Sequence, residues 1–413
     1  MVRHRLLVYS LIAFIWTGLV YYRISYHLGG TILIGIGYVF LGAVLIAGRF
    51  RVDAERRQLF AAIKFLVLFL IVYIFLSELF FRSGLKDFFS IDITLDTFHM
   101  IQSAPIWFSF LLLLGMEKKW SGYCKFTILL LLFDVIATIV ALYAIPTFAK
   151  NLAAGIVTDE MLPYKIRGAM GYELTYSVAI LTPLFFVFGV KKKNILFLAL
   201  GVVSIFYVYL CSFLLGLLAL VFNLAFSGLY LIKSKKVRCA IVAIIAFVAI
   251  FLLWERSILG NLFMDLSEKM DSVELERRLS QIGRFLLYND DSGDSLARFS
   301  AYENDLSGII KSPVFGSMIV DPDFVTGGHS TILGIWSAFG LVGLVPFLAV
   351  LWHIYQYSIR EIASVRLRGV IRTSYLTFIL IAIFNPVFAN PHIFLCVVWL
   401  IPAISKSISS AET

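Results

Sequence analysis

A histidine flanked by glycines is the residue in this chain best suited to acid–base chemistry. The segment Gly327-Gly328-His329-Ser330 ends a long polar stretch and directly precedes an apolar run. A neutral imidazole can accept the proton of a hydroxyl group near physiological pH, and small neighbours let a substrate approach it closely. His329 is therefore a candidate general base, with Gly328 and Ser330 as candidate substrate contacts. The alternative is a structural histidine at the start of a helix.

An arginine precedes this segment on a predicted helix over 296–311. Arg298, Tyr302 and Asp305 recur at helical spacing and therefore share one face of that helix. Another face carries the apolar residues Phe299, Leu306 and Ile310. Two interpretations are open: a solvated polar face with an Arg–Asp pair at the surface, or an arginine held at the membrane edge to bind phosphate.

A second arginine ends a shorter polar stretch. Arg167 lies just before an apolar run that opens with Tyr172 and Glu173. An arginine at such a place either reaches to the membrane surface with Glu173 as its partner, or faces an anionic group of a substrate.

The elements that position these residues must be membrane helices. Of the 413 residues, 60% are hydrophobic and 15% are charged, against about 25% charged in an ordinary soluble domain. A soluble fold cannot bury this much apolar surface, which excludes a soluble enzyme, a disordered chain and a nucleic-acid-binding domain. The net charge of +9 therefore indicates membrane sidedness rather than a nucleic-acid partner.

The sequence predicts an all-α, polytopic bundle that forms a single integral membrane domain over 1–413. Because about 20 apolar residues cross a bilayer, we predict about twelve transmembrane helices. They cover 6–22, 31–48, 59–80, 98–116, 126–148, 173–190, 195–211, 213–231, 239–254, 331–355, 373–388 and 392–405. Most of the 35 Lys and Arg residues then fall on the side of the N-terminus, which predicts that both termini are cytoplasmic. Asp134 and Glu78 fall within spans and should face the bundle interior, since a charge in lipid is costly.

Most of the predicted external loops are short, but two are longer, a medium one over 149–172 and a large one over 255–330. Apolar residues recur at helical spacing over 258–287, which indicates an amphipathic stretch on the membrane surface or over the bundle. A turn over 289–295 separates this stretch from the helix over 296–311.

No metal, cofactor or disulfide is expected. The sequence lacks a P-loop, an HExxH motif and a GxGxxG motif. Asp321 and Asp323 have the D-x-D form of metal-dependent glycosyltransferases, but the proline between them favours a turn. The cysteines lie in or next to apolar runs, where buried thiols are more common than disulfides or metal ligands. They are Cys124, Cys211, Cys239 and Cys396.

Three motifs together resemble the O-antigen polymerase and O-antigen ligase superfamily. They are Arg167 before a span, then Arg298 to Tyr302 with Ser312-Pro313-Val314-Phe315-Gly316, and then Gly327 through His329-Ser330 to Gly340 and Gly343. The resemblance covers about residues 160–350, and one large outer loop late in the chain also fits the family.

Two departures from the family pattern could move a substrate contact elsewhere. Many members have Ser-Arg-Gly between spans seven and eight, where this chain has Cys211-Ser212-Phe213. Many also have an Asn-Pro-Asn-like run after the first arginine, where this chain has Gly171-Tyr172-Glu173-Leu174-Thr175.

The resemblance implies a metal-independent, inverting glycosyltransferase whose donor is a sugar chain on undecaprenyl diphosphate. The chemistry suits the residues, since arginines can stabilise a diphosphate leaving group without a metal and His329 can serve as the base for an acceptor hydroxyl. We therefore assign catalysis to Arg167, Arg298 and His329. The candidate substrate contacts are Tyr172, Glu173, Tyr302, Gly328 and Ser330.

Three functions are weighed. The first is a polymerase that joins lipid-linked repeat units of an O-antigen, capsule or exopolysaccharide at the periplasmic face of the inner membrane. The second is a ligase that transfers the finished chain to lipid A-core. The third, a transporter or flippase, is disfavoured because the long loop follows span nine rather than span six and no internal repeat is present. A chain-length regulator and a flippase are candidate partners, besides membrane lipid.

We expect Arg167 and Arg298 to converge on one outward-facing cavity and to bind the diphosphate. Replacing either with Ala should abolish product while the protein is still expressed. Lys should restore activity only in part, because it lacks the planar fork of the guanidinium group. The measurement is the polymer made by cells that carry each variant, and normal polymer from the Arg298→Ala protein contradicts the assignment.

The lack of a metal motif predicts full activity in an excess of chelator. Turnover of the lipid-linked donor should be equal with and without chelator in the same preparation. Activity that is lost to the chelator and restored by magnesium or manganese would instead indicate a metal-dependent reaction at Asp321 and Asp323.

Overall fold

The computed structural model describes most of the chain. Arg298 and Glu78 lie in described helices, but their own side chains are outside the description. The described stretches are 57–80, 95–116, 121–153, 156–232, 256–270, 273–288, 294–321, 326–387 and 391–409, with a few single positions between them. The predicted spans 6–22, 31–48 and 239–254 lie almost wholly outside these residues, and so do Cys239 and Asp323.

Every element in the described stretches is a helix, so the predicted all-α fold class is confirmed, while the number of spans stays a prediction. In chain order the helices are α1 (Arg57–Phe80), α2 (Leu95–Met116), α3 (Ser121–Ala144), α4 (Phe148–Ala153), α5 (Leu162–Ile166), α6 (Tyr172–Lys191), α7 (Ile195–Cys211), α8 (Leu214–Leu231), α9 (Arg256–Glu268), α10 (Val273–Tyr288), α11 (Asp294–Lys311), α12 (Ser317–Val320), α13 (Thr331–Ile359), α14 (Val365–Phe384) and α15 (Pro391–Leu395), which a π-helical turn (Cys396–Leu400) joins to α16 (Ile401–Ser409).

Several of these helices have the length and the outer surface of membrane spans. Five within the described stretches, α3, α6, α8, α13 and α14, are long and apolar enough to cross a membrane. On α3, Leu129, Phe133 and Ile136 recur on one face, and half or more of each side chain is exposed. Such an apolar face is stable in contact with lipid rather than water. The chain is therefore a helical membrane protein.

Ten buried hydroxyl groups in the bundle are satisfied within their own helices. Each donates a hydrogen bond to the carbonyl four residues earlier, so these hydroxyls need no water in the apolar layer. The residues are Ser109, Thr127, Thr138, Ser177, Thr182, Ser204, Ser358, Thr373, Thr377 and Ser405.

Two predicted boundaries in the polar and apolar runs are confirmed. The long apolar run 195–231 divides where expected, because α7 ends at Cys211 and Ser212 adopts a left-handed conformation with φ 55°. The helix predicted over 296–311 is α11, which ends at Lys311.

Two predicted spans are misplaced. The span predicted over 126–148 is α3 (Ser121–Ala144), which begins and ends four to five residues earlier. The run 373–388 was expected to form a span, but the helix already begins at Val365 and ends at Phe384. The hydroxyl of Ser364 caps its start by accepting the N–H of Leu367 at 3.4 Å. Hydropathy misses the first two turns because arginines lower it there. They are Arg366, Arg368 and Arg372.

Contacts between helix ends give the relative directions of several helices. Gln58, near the start of α1, lies 2.6 Å from Nδ1 of His353, near the end of α13. Lys406 near the end of α16 pairs with Glu361, which follows α13. We call this the Lys406 end of the bundle, and the opposite end, where α13 starts and α14 stops, the Thr331 end. These directions agree with the predicted order of crossings, and the side of the membrane that each end faces stays a prediction.

The stretch 258–287, expected as one amphipathic segment, folds into two helices. The helices α9 and α10 run antiparallel, since Gly260 lies against Leu287 and Gly283 lies against Met264. The glycines let the backbones cross closely, because a Cβ on Gly283 would lie 3.0 Å from the carbonyl oxygen of Gly260. A stripe of exposed apolar residues remains on α9, as on helices that lie in a membrane surface. It consists of Ile258, Leu262 and Leu266.

Helix α13 is interrupted at Gly340, whose backbone angles (φ 62°, ψ −158°) are tolerated essentially by glycine alone. The interruption deprives the next N–H groups of their partners within the helix. Leu341 and Val342 donate instead to the carbonyls of Pro313 and Val314, at 3.0 and 3.2 Å. The chain after α11 therefore lies against the broken helix and satisfies its backbone.

The same crossing accounts for two glycines of the sequence motifs. A Cβ on Gly316 (φ 86°) would overlap the carbonyl group of Ala338, and one on Gly340 would overlap that of Val314. Both positions require glycine for a structural reason, because two backbones approach each other closely there.

Gly340→Ala should destabilise the protein, whereas Gly334→Ala in the same helix should not. Backbone strain alone costs about 1–3 kcal/mol at such a position, and the new Cβ would also overlap Val314. A Cβ on Gly334 meets no atom of the described part of the chain within 4 Å, and Ala is the better helix former. Melting curves of the two purified variants in detergent are the measurement. Equal melting temperatures contradict this account of the break.

Candidate functional site

The loop that carries His329 is held by a buried carboxylate. Asp305 on α11 is fully buried, and its Oδ1 atom accepts hydrogen bonds from the N–H of Gly327 (2.9 Å) and from the hydroxyl of Ser337 (3.0 Å). Gly327 opens the loop, and Ser337 lies two turns into α13. One carboxylate oxygen thus ties α11 to the chain on both sides of the loop.

Opposing effects act on the charge of Asp305. Burial raises the pKa of its carboxyl group, and the N–H of Gly327, the hydroxyl of Ser337 and the charge of His329 act in the opposite direction. His329 therefore lies within electrostatic range of this carboxylate. The Oδ2 atom is also buried and has no hydrogen-bond partner among the described residues.

The far side of the loop is fixed to the chain that follows α14. Ser330 caps α13, since its hydroxyl accepts the N–H of Leu333 at 3.0 Å. The hydroxyl of Thr331 donates to the carbonyl of Asn385 at 3.2 Å and accepts the N–H of Val387 at 2.7 Å. The loop is therefore rigidly placed at the Thr331 end of the bundle.

The two glycines before His329 have different surroundings. Gly327 lies on the backbone of α11, where a Cβ would overlap the carbonyl group of Ala301. Gly328 is exposed and has φ 69°, and no atom of the described residues lies within 4 Å of its Cβ position. Because His329 is itself partly exposed, open space adjoins the histidine on the side of Gly328.

Tyr302 belongs to the same assembly. Its hydroxyl donates to the carbonyl of Phe384 at 3.2 Å, and the two rings make an edge contact with centroids 6.3 Å apart. Arg298 lies one turn earlier on α11, and helical spacing places it on the same face as Tyr302 and Asp305. Its convergence with Arg167 stays a prediction.

Arg167, Tyr172 and Glu173 form a second group, at the start of α6. Arg167 follows α5 and is exposed, whereas Glu173 is buried in the first turn of α6. Glu173 accepts the N–H of Gly171 at 3.3 Å through Oε1, and its Oε2 atom has no hydrogen-bond partner among the described residues. No ion pair joins Arg167 to Glu173, both of which the structure describes. The interpretation of Arg167 as an arginine paired with Glu173 is therefore wrong, because the glutamate turns inward to its own helix end.

The end of the predicted 149–172 loop packs into the bundle. A Cβ on Gly168 (φ 95°) would lie 2.9 Å from Oδ1 of Asp134, and the N–H of Met170 donates to the hydroxyl of Thr138 at 2.9 Å. Asp134 and Thr138 lie in the middle part of α3. Asp134 also accepts the indole N–H of Trp16 at 2.6 Å, which confirms that this carboxylate faces the bundle interior.

Asp305 is the residue that sequence reasoning misjudged. Its interpretation as part of a solvated face or a surface pair is wrong, because α11 turns this face toward α13. Leu306 and Ile310 are 49% and 81% exposed, while Asp305 is 0% exposed. Small residues one turn before and one turn after Asp305, Ala301 and Gly308, could have indicated a packing face.

Asp321, the first residue of the D-x-D segment, is described, and the turn predicted there stays a prediction. The N–H of Phe324 donates to the carbonyl of Asp321 at 3.0 Å, and the Asp321 carboxylate pairs with Lys311 at 3.5 Å. Within the described stretches, no three His, Cys, Asp or Glu side chains are arranged to hold a metal ion.

Comparison of the chain with protein-family models gives no match, and comparison with curated proteins gives no significant match either. The resemblance to the O-antigen polymerase and ligase superfamily therefore rests on the motifs alone. Any function must be argued from the site at the Thr331 end.

Proposed function

We propose that this protein is a bacterial polysaccharide polymerase. It joins undecaprenyl-diphosphate-linked oligosaccharide repeat units into an O-antigen, a capsule or an exopolysaccharide by metal-independent, inverting glycosyl transfer. It lies in the inner membrane with the Thr331 end toward the periplasm. A lipid carrier holds its diphosphate at the membrane edge, which is where a loop between membrane helices can reach it.

The observation that carries this proposal is the hydrogen bond from Gly327 to Asp305. It attaches the loop of His329 to α11, the helix that bears Arg298 and Tyr302. Two of the three residues assigned to catalysis thus belong to one connected unit. The open side at Gly328 leaves room for a sugar beside the histidine.

The proposed reaction needs two chemical functions at one place. Charge develops on the diphosphate as it leaves, and a guanidinium group stabilises that charge through bidentate hydrogen bonds. The acceptor hydroxyl needs a base within hydrogen-bond reach. Arg298 supplies the first function from α11, and His329 supplies the second from the loop. Arg167 is exposed, and the proposal assigns it to the same diphosphate.

The test uses the protein purified in detergent and the undecaprenyl-diphosphate-linked repeat unit extracted from cells that lack the gene. A product with two or more repeat units on one lipid identifies a polymerase. Transfer that occurs only after lipid A-core is added identifies the ligase instead. A donor that stays chemically unchanged contradicts both and favours a transporter.

His329→Ala should lower turnover in this assay by about 10²–10⁴-fold, the usual contribution of a general base. Donor binding should survive, because it is assigned to the arginines. His353→Ala is the matched control, since that histidine contacts Gln58 near the Lys406 end, and it should leave turnover unchanged. Unchanged turnover in His329→Ala would show that the histidine has a structural role only. Loss of donor binding in this variant would instead assign His329 to the phosphate site.

A further inference from the structure

Asp305 has features that a purely structural clamp does not require. Its Oδ1 atom holds both Gly327 and Ser337, while its Oδ2 atom is buried and lacks a hydrogen-bond partner among the described residues. An asparagine carbonyl could accept the same two hydrogen bonds without a charge. Burying a carboxylate is costly unless a positive partner compensates it. The negative charge at this position therefore needs its own explanation.

The nearest explanation is the histidine whose loop the carboxylate holds through Gly327. His329 follows Gly327 by two residues, and its charge acts on Asp305. Asp305 is fully buried, so an acceptor sugar cannot touch it, whereas His329 is partly exposed. The two residues can therefore have different roles: the histidine contacts the substrate, and the carboxylate lies behind the histidine.

We propose that Asp305 is a positioning residue that orients His329 and stabilises its protonated form during glycosyl transfer. This role rests on the proposed function. One oxygen of Asp305 accepts the backbone N–H of Gly327 and so holds the loop. The negative charge of Asp305 stabilises the protonated imidazole. Helix α11 would then couple the diphosphate site at Arg298 to the base.

The transfer step defines when this charge acts. The oxygen of the acceptor hydroxyl forms a bond to the anomeric carbon of the donor, and the bond from that carbon to the diphosphate oxygen breaks. The electron pair leaves with the diphosphate, and the hydroxyl proton passes to the imidazole of His329. The resulting imidazolium cation is stabilised by the Asp305 carboxylate until its proton is released to solvent.

Asp305→Asn tests the charge while it retains an acceptor for Gly327 and Ser337. We expect kcat to fall about 10²-fold, no more than the loss for the base itself, with KM for the lipid-linked repeat unit unchanged. In a His329→Ala background the same change should cost less than about 2-fold, because residues that act through each other are not additive. Asp321→Asn is the matched control, an exposed aspartate paired with Lys311, and should behave as the wild type.

The outcomes separate this inference from the proposed function. A wild-type protein that leaves the donor unchanged overturns the proposed function and the positioning role together. An active wild type with an equally active Asp305→Asn variant overturns the positioning role alone, and so does a full further loss in the His329→Ala background. If Asp305→Asn does not accumulate, Asp305→Glu decides, since it keeps the charge but displaces the carboxylate by one methylene from Gly327 and from the loop of His329. Reduced kcat at unchanged KM then supports the positioning role, and wild-type kcat overturns it.

Discussion

The break in α13 at Gly340 is the constraint on which the candidate site depends. A helix that crosses lipid must satisfy its backbone within the protein, and the N–H groups of Leu341 and Val342 find their acceptors in the chain after α11. That requirement fixes the end of α11 against α13. With α11 in place, Asp305 reaches Ser337 on α13 and Gly327 in the loop. The position of His329 therefore follows from the need to hydrogen-bond the interrupted backbone of α13.

Buried carboxylates in this protein are compensated in different ways. Asp134 accepts the indole N–H of Trp16, and Glu173 accepts a backbone N–H at the start of its own helix. Both arrangements are local or pairwise. Asp305 instead joins three segments through a single oxygen, so its removal affects the relation between segments rather than one helix end. This difference is why the loop that carries His329 depends on Asp305.

Hydropathy predicted most of the described helices because long apolar runs in a membrane leave few alternatives. It failed at the start of α14, where arginines such as Arg366 interrupt the run. In the candidate site, the spacing of Gly327 to Ser330 predicted the loop and the start of α13. The orientation of α11 could not be predicted in the same way. In a soluble protein the apolar face turns inward, but at a membrane Leu306 can point outward while Asp305 points inward. An amphipathic pattern therefore predicts two faces of a helix but does not predict which face is buried.

The charges assigned around His329 act on it in opposite directions. Arginines at the diphosphate site favour the neutral imidazole, whereas Asp305 favours the imidazolium cation. On the proposed roles, the balance depends on the donor, because the diphosphate neutralises the arginine charges when it binds. On the same roles, Asp305 is then the charge near His329 that no arginine offsets, so its carboxylate stabilises the imidazolium cation of the transfer step best when the donor is bound. The proposal thereby couples proton transfer to the presence of the leaving group without any change in the fold.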